Sequence, residues 1–318
     1  MRILITGATG LIGSALVEKL RGEHELVCQS QRAHDVVDGV RWIEHDLSED
    51  SWERLAPPDL DVVYHLAGQT STYAARNDPL TDLNVNVTGF VRLLEYLRAQ
   101  RSPPFVVFTG TVTEVGLTER LPITEDMPDR PVTFYDISKL TAELYLRQYV
   151  REGWVKGCTL RLANVYGGSR PGQQRDRGIL DRVLAKAMAG ERVIVYGDGM
   201  NLRDYIYIDD VVSALILAPK HAATTNGRSF NIGTGRGIAL KDAFAKVAAL
   251  AGPRASGTPV FEHVACPSDL SDIDRRNAII DSSAFTAATG WRPQFDFETG
   301  LDAAYGGRAD RTTTAKIR

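Results

Sequence analysis

Tyr135 and Lys139 bound the run Tyr135-Asp136-Ile137-Ser138-Lys139. On a helix this spacing puts both side chains on one face, a turn apart. A phenol with its ordinary pKa of about 10 exchanges protons poorly at neutral pH. A neighbouring ammonium favours the phenolate and pulls that value down. Moving it by about 3 units takes roughly 4 kcal/mol of differential interaction, and Lys139 can supply part of it. Tyr135 therefore reads as an acid–base group that exchanges a proton with a substrate oxygen. The hydroxyl of Thr111, about two dozen residues earlier, would bond the same oxygen and hold it in place.

A second constellation suggests what accompanies that proton. Arg2 to Thr6 reads as a buried strand, and Leu11, Ile12, Ala15, Leu16 and Leu20 recur at helical spacing. Between them stand Gly7, Gly10 and Gly13. The turn needs a residue without a side chain, and a pyrophosphate approaches only bare backbone. The helix behind it presents unpaired N–H groups and a positive dipole end. The spacing G-x-x-G-x-x-G marks a dinucleotide site, distinct from the common G-x-G-x-x-G. Hydride would then pass between substrate carbon and a nicotinamide while Tyr135 handles the proton.

The kind of dinucleotide is read at the end of the second strand, Glu25 to Gln29. An acidic residue there would hold the ribose hydroxyls of NAD. The sequence offers Gln29-Ser30-Gln31-Arg32, with no carboxylate. Ser30 and Arg32 suit a 2′-phosphate, so NADP is expected, and the nearby Asp35 keeps NAD open.

These groups need elements to carry them. Val40 to Glu44 reads as a third strand, followed by Asp46-Leu47. A fourth runs from Asp61 to Gly68 and ends in a small-residue turn, where His65 reads as packed or cofactor-side rather than catalytic. Val87 to Arg98 reads as a packed helix, and Phe105 to Thr109 as a fifth strand leading into Gly110-Thr111-Val112-Thr113. Six or so strands alternating with helices imply an α/β fold, a doubly wound parallel sheet of the Rossmann type. Ligands sit at the carboxyl ends of such strands, which puts Thr6, Ala67, Thr109 and Thr111 on the working edge.

Composition excludes other classes. Hydrophobic content of 43% and charged content of 24% over 318 residues are ordinary for a globular chain. A net charge of −3 argues against nucleic-acid or membrane-surface partners. Cys28, Cys158 and Cys266 form no C-x-x-C, so neither a metal site nor a disulfide framework is expected, and a reducing, cytoplasmic setting is. The chain enters a strand at once and has no long apolar run, so neither signal peptide nor membrane span is expected.

Several further stretches complete a resemblance. They are His65-Leu66-Ala67-Gly68, Asn86-Val87-Thr88-Gly89, Arg161-Leu162-Ala163-Asn164-Val165-Tyr166-Gly167, Arg203-Asp204-Tyr205 to Asp210-Val211 and Gly290-Trp291-Arg292-Pro293. With the glycine turn and Tyr135 to Lys139, they make the chain resemble the extended short-chain dehydrogenase/reductases. Within these it resembles the NAD-dependent epimerase/dehydratase group acting on nucleotide sugars. The resemblance implies Thr111, Tyr135 and Lys139 as the catalytic set. It implies cofactor contacts from Gly7, Thr9, Gly10, Leu11, Ile12, Ser30, Arg32, Asp46, Leu47, Leu66, Ala67, Gly68, Asn86 and Thr109, besides Tyr135 and Lys139. It implies that Thr113, Asn164, Arg203, Arg275 and Arg276 grip a nucleotide-diphosphate sugar, an arginine fork suiting the diphosphate. A homodimer is implied through the helices bearing Phe90–Leu97 and Lys139–Tyr149.

The departures bear on the reaction. Family dehydratases carry threonine-aspartate-glutamate where this chain has Thr111-Val112-Thr113, and valine holds no proton, so dehydration is disfavoured. Glu114-Val115-Gly116 and Arg130-Pro131-Val132-Thr133-Phe134-Tyr135-Asp136 look like the 4-ketoreductases of deoxysugar biosynthesis. The expected reaction is thus NADPH-dependent reduction of an NDP-4-keto-6-deoxyhexose. The alternative is an NDP-sugar 4-epimerase; reduction of a small carbonyl substrate ranks below both. The expected organisation is a dinucleotide domain over 1–165 plus about 203–235, a smaller substrate domain over 166–202 plus 236–305, and a disordered tail over 306–318. Gln173 to Gly178 is expected to form a lid.

Overall fold

The computed structural model describes residues 1–31, 39–49, 52, 56–167, 178–251, 260–268 and 270–306. The expectations for Arg32 and Asp35, for 173–177 of the lid and for a tail beyond Gly306 lie outside the described residues.

Seven strands build the central sheet: β1 (Arg2–Thr6), β2 (Glu25–Ser30), β3 (Val40–Glu44), β4 (Val62–His65), β5 (Phe105–Thr111), β6 (Lys156–Leu162) and β7 (Ser229–Ile232). They lie in the order β7-β6-β5-β4-β1-β2-β3, every neighbouring pair parallel. The chain grows outward from β1 through β2 to β3, then returns to β4 on the other side. The direction of growth reverses between β1 and β4, which opens a crevice at their carboxyl ends.

Both faces of the sheet are covered. Four helices matter here: α1 (Leu11–Leu20), α2 (Gly89–Arg98), α3 (Phe134–Arg151) and α4 (Ile208–Lys220). Successive strand residues point to opposite faces. Ile3 and Ile5 therefore join one core with Leu16 of α1 and Val211 and Leu215 of α4. Leu4 joins the other with Phe90 and Leu94 of α2 and Ala142 and Leu146 of α3. Burial on both faces explains why the strands read as continuous apolar runs.

Phe90, Leu93, Leu94 and Leu97 are all buried within this core. Exposed apolar side chains nearby include Phe134, Ile137, Leu144 and Tyr145 of α3, and Leu80 and Leu83 of the short helix Pro79–Leu83. Of the two helices expected to pair, α3 thus keeps exposed apolar residues, Leu144 and Tyr145 among them, while Phe90, Leu93, Leu94 and Leu97 of α2 pack inward.

Beyond β6 the chain leaves the sheet for three two-stranded ribbons. Asn164–Tyr166 pairs with Tyr205–Tyr207, Leu202–Arg203 with Ile238–Ala239, and Val193–Tyr196 with Phe261–Val264. The first two lead Asn164 and Arg203 toward the carboxyl edge. Among the described residues no helix is long and apolar enough to cross a membrane.

Candidate active site

The glycine turn is shaped by its neighbours. Gly7 has φ +65°, and a Cβ there would sit 2.7 Å from the Ala67 backbone. A Cβ on Gly13 would meet the Gly7 oxygen at 2.2 Å. Both are bare because protein fills their space. Gly10 differs: its φ of −71° is ordinary and its Cβ would meet only the Gly7 oxygen, at 3.1 Å. Gly10 also N-caps α1 without a side-chain bond, so the first-turn amides, those of Leu11 and Ile12 among them, are left to a ligand. Bare backbone in front of an uncapped helix end fits a pyrophosphate.

Around this cradle the expected residues divide by what their atoms do. The Thr6 hydroxyl oxygen accepts from the amides of Leu66 and Ala67, each at 3.2 Å, and this ties the β4 turn to β1. Thr109 donates to the His65 carbonyl at 3.2 Å. Asn86 spends its side chain on the loop, accepting from the Gln69 amide at 2.9 Å and donating to the Gln69 carbonyl and Asp82. It therefore shapes the Gly68 turn. Asp46 accepts from Ser48 and Gln31, and Leu47 is buried with its carbonyl against Gly89. Ser30 is buried at the end of β2, and half-buried Thr9 faces the turn. Gln29, not singled out from sequence, accepts from the Gly7 amide at 3.0 Å and donates to the His45 carbonyl at 2.5 Å.

The reacting groups meet where β5 ends. The strand runs two residues past the expected Thr109, setting Thr111 at the carboxyl edge. Thr111 caps the turn Val112–Val115, accepting from the Thr113 amide at 3.3 Å while Glu114 accepts from the Thr111 amide at 2.8 Å. Thr133 caps α3 in turn, accepting from the Asp136 amide at 3.1 Å. This begins the helix one residue before Tyr135 and sets the phenol beside Thr111. Lys139, one turn on, is buried with its ammonium 4.3 Å from the Phe108 ring centre.

The electrostatics differ from the simple expectation. Burial pushes the Tyr135 phenol above its ordinary value, and Glu114, Asp136 and Asp82 add to that. Burial lowers the Lys139 ammonium to about 8 against the pull of Glu114 and Asp82. His65 is lowered to about 3 by burial and by Lys139.

Beneath Thr111 lies a buried network that sequence reasoning missed. Arg161 of β6 donates to Glu143 of α3 at 2.9 and 2.8 Å and to Asp129 at 2.6 and 3.0 Å. Its Nε also stands 3.0 Å from Glu114 Oε2, but that hydrogen is spent on Glu143. Burial and the repulsion of Glu143 raise the Glu114 carboxyl. The available signal was an arginine inside the apolar run of β6.

On the substrate side, Arg203 is half-buried and Arg276 buried, with no carboxylate in ion-pair reach among the described residues. Arg203 donates to the carbonyls of Leu202, Asp274 and Arg276, and Arg276 to that of Gly116 at 3.2 Å. Burial and the charge of Arg203 lower Arg276 to about 10. Two adjacent cations held by carbonyls alone form a site for a multiply charged anion. Asn164, exposed, pairs in register with Tyr205, next to this segment. Thr113 lies against Thr111 and Asp136. Arg275 is exposed and donates to the Pro267 carbonyl at 3.3 Å. Among the described residues no cluster of metal-ligating side chains occurs.

The model of the NAD dependent epimerase/dehydratase family matches residues 3–233. UDP-glucose 4-epimerase of Mycolicibacterium smegmatis is 32% identical over 313 residues, covering 95% of this chain and 96% of that protein. The UDP-glucose 4-epimerase of Thermotoga maritima, solved with UDP-glucose, superposes with a TM-score of 0.83 at 28% identity, covering 97% and 99% of the two chains. RMD from Pseudomonas aeruginosa, complexed with NADPH, superposes with a TM-score of 0.77 at 25% identity over 96% and 98%.

Proposed function

The chain belongs to the NAD dependent epimerase/dehydratase family, and from this premise we propose that it is a nucleotide-sugar 4-epimerase acting on UDP-hexoses. Support comes above all from one observation. The chain keeps Thr111, Tyr135 and Lys139 at one edge while matching a UDP-glucose 4-epimerase over 95% of its length. This moves the reading from the ketoreductase expected from sequence to its alternative.

In this reading Arg203 and Arg276 bind the diphosphate and bring the hexose against Thr111. Thr111 orients the reacting oxygen and Tyr135 Oη takes and returns its proton. The backbone of Gly10, Leu11 and Ile12 would hold a nicotinamide dinucleotide, which would supply hydride chemistry there when bound. Lys139 alone does not bring the phenol down in this pocket, and an oxidised nicotinamide bound here would add positive charge that favours the phenolate.

A second reading, NADPH-dependent 4-ketoreduction, draws on the end of β2, where Gln29, Ser30 and Gln31 offer no carboxylate to ribose hydroxyls. One assay separates them. Purified protein is incubated with UDP-glucose or UDP-galactose, and separately with a TDP-4-keto-6-deoxyhexose and NADPH or NADH. Interconversion of the UDP-hexoses with no net change in nicotinamide absorbance is expected; stoichiometric loss of NADPH on the keto sugar would instead make it a reductase.

A further inference from the structure

Three side chains beside Tyr135 form one hydrogen-bonded file. The Thr111 and Thr113 hydroxyl oxygens lie 2.9 Å apart, Thr113 donates to Oδ1 of Asp136, and Thr111 lies against the Tyr135 phenol. Asp136 is fully buried, and its Oδ2 has no hydrogen-bond partner. An ionised carboxylate only accepts, so the single hydroxyl hydrogen of Thr113 is committed to it. The contact between the two threonines must then use the hydrogen of Thr111. What Thr111 turns toward Tyr135 is a lone pair.

We propose that Asp136 is a positioning residue: through Thr113 it fixes the Thr111 hydroxyl as an acceptor toward Tyr135 and the reacting oxygen. That polarity suits a neutral phenol and a substrate alcohol, both of which donate. Protonating Asp136 reverses the file. Asp136 then donates to Thr113, Thr113 to Thr111, and Thr111 to a phenolate or a ketone oxygen, the proton taken up by Asp136 being the one atom added. The groups facing Asp136 are Thr113 from the turn after β5, Thr133 and Tyr135 from its own helix, and Arg276 from the far segment. Burial raises its carboxyl, while Thr113, Thr133 and Arg276 hold it down.

The sugar oxygen's place in this proposal rests on the proposed function, but the file exists in the protein alone, and its test needs no sugar. Tyrosinate absorbance is followed against pH in the protein loaded with NAD+, the share of Tyr135 being identified by difference from Y135F. T113V removes the middle of the file without changing charge. Thr111 is then free to donate to the phenolate, and Tyr135 should ionise about one pH unit or more below wild type. T113S keeps the hydroxyl and should restore the wild-type titration; T113A serves in the same way if T113V misfolds. A T113V protein that titrates like wild type overturns the proposal. A shifted titration in a protein that turns over no nucleotide sugar leaves the file standing and removes the proposed function.

Discussion

The ammonium of Lys139 lies 4.3 Å from the centre of the Phe108 ring, in a pocket where only 6% of the residue is exposed. The ring face attracts the cation, yet burial wins and Lys139 falls to about 8 from the ordinary 10.5. The charged form is therefore held at a cost. Because the folded value lies below the unfolded one, the unfolded chain binds more protons between about pH 8 and 10.5, and stability rises with pH across that window. The cost at neutral pH is about 3 kcal/mol. K139M should be more stable than wild type by about that amount near pH 7 and should lose its turnover by roughly a hundredfold or more. Urea unfolding at pH 7 and pH 10, with an epimerisation assay, checks both; a K139M protein less stable than wild type contradicts the assignment.

The glycines of the first turn predict two different failures. G13A drives a methyl onto the Gly7 oxygen at 2.2 Å and should cost about 3 kcal/mol of stability. G10A meets no such clash and should leave stability within about 1 kcal/mol. Its methyl would occupy the space in front of α1, so its dinucleotide Kd should rise roughly tenfold or more, the equivalent of about 1.4 kcal/mol. Thermal unfolding and fluorescence titration with NAD+ and NADP+ separate the two effects, and also rank the two cofactors.

Much of this was legible because it rests on local patterns. The apolar run Ile3-Leu4-Ile5, the glycine spacing and the Tyr135–Lys139 interval each depend on neighbours in sequence, and they located the strand, the cradle and the catalytic helix. The Arg161 network was hidden because its members at 114, 129, 143 and 161 meet only when β5, β6 and α3 pack. The difference between Arg275 and Arg276 turns on one residue of direction after the turn Asp272–Asp274, which spacing does not reveal. Phe90 and Leu97 were legible as packing from their helical spacing, and both are buried.

His65 stacks on Phe90 at 4.4 Å, and its Nδ1 lies 3.0 Å from the Thr6 hydroxyl. That hydroxyl oxygen already accepts from two amides, so it donates to Nδ1 and the ring proton sits on Nε2. With a folded value near 3 against 6.5 unfolded, the unfolded chain binds the extra proton between those limits, and stability is lost as pH falls below about 6.5. The stability advantage of wild type over H65Q should shrink by about 2 kcal/mol between pH 7 and pH 5. Denaturation curves at both pH values measure it; an advantage independent of pH would mean that folding leaves the His65 pKa unshifted, and one that grows toward pH 5 would mean that His65 is charged in the fold.

Ile137, Leu144 and Tyr145 share one stripe of α3, at spacings that keep side chains on the same face, and Leu80 and Leu83 are exposed on the neighbouring helix. A second copy of the chain is the occupant that the resemblance implies. L144R should shift a dimer to monomer in sedimentation velocity while leaving the far-ultraviolet spectrum unchanged. A wild-type protein that sediments as a monomer at micromolar concentration removes the dimer.

Arg276 carries the substrate prediction, because no carboxylate among the described residues pairs with it directly. It is 9% exposed, its side chain bonds the Gly116 carbonyl, and it is repelled by Arg203 while Asp136 and Asp274 attract it from beyond ion-pair reach. A buried cation without a direct counter-ion destabilises the free protein, and a diphosphate would supply that anion. R276M should therefore fold at least as stably as wild type. Its UDP-hexose affinity should fall by about 2 kcal/mol, roughly thirtyfold, since hydrogen bonds to charged groups are worth that much. NAD+ affinity should hold, because the cradle lies at the other side of the crevice. Isothermal titration with UDP-glucose and with NAD+ measures both. Equal loss of the two ligands would mean that Arg276 supports the fold rather than the diphosphate, and unchanged UDP-glucose binding would place the anion site elsewhere.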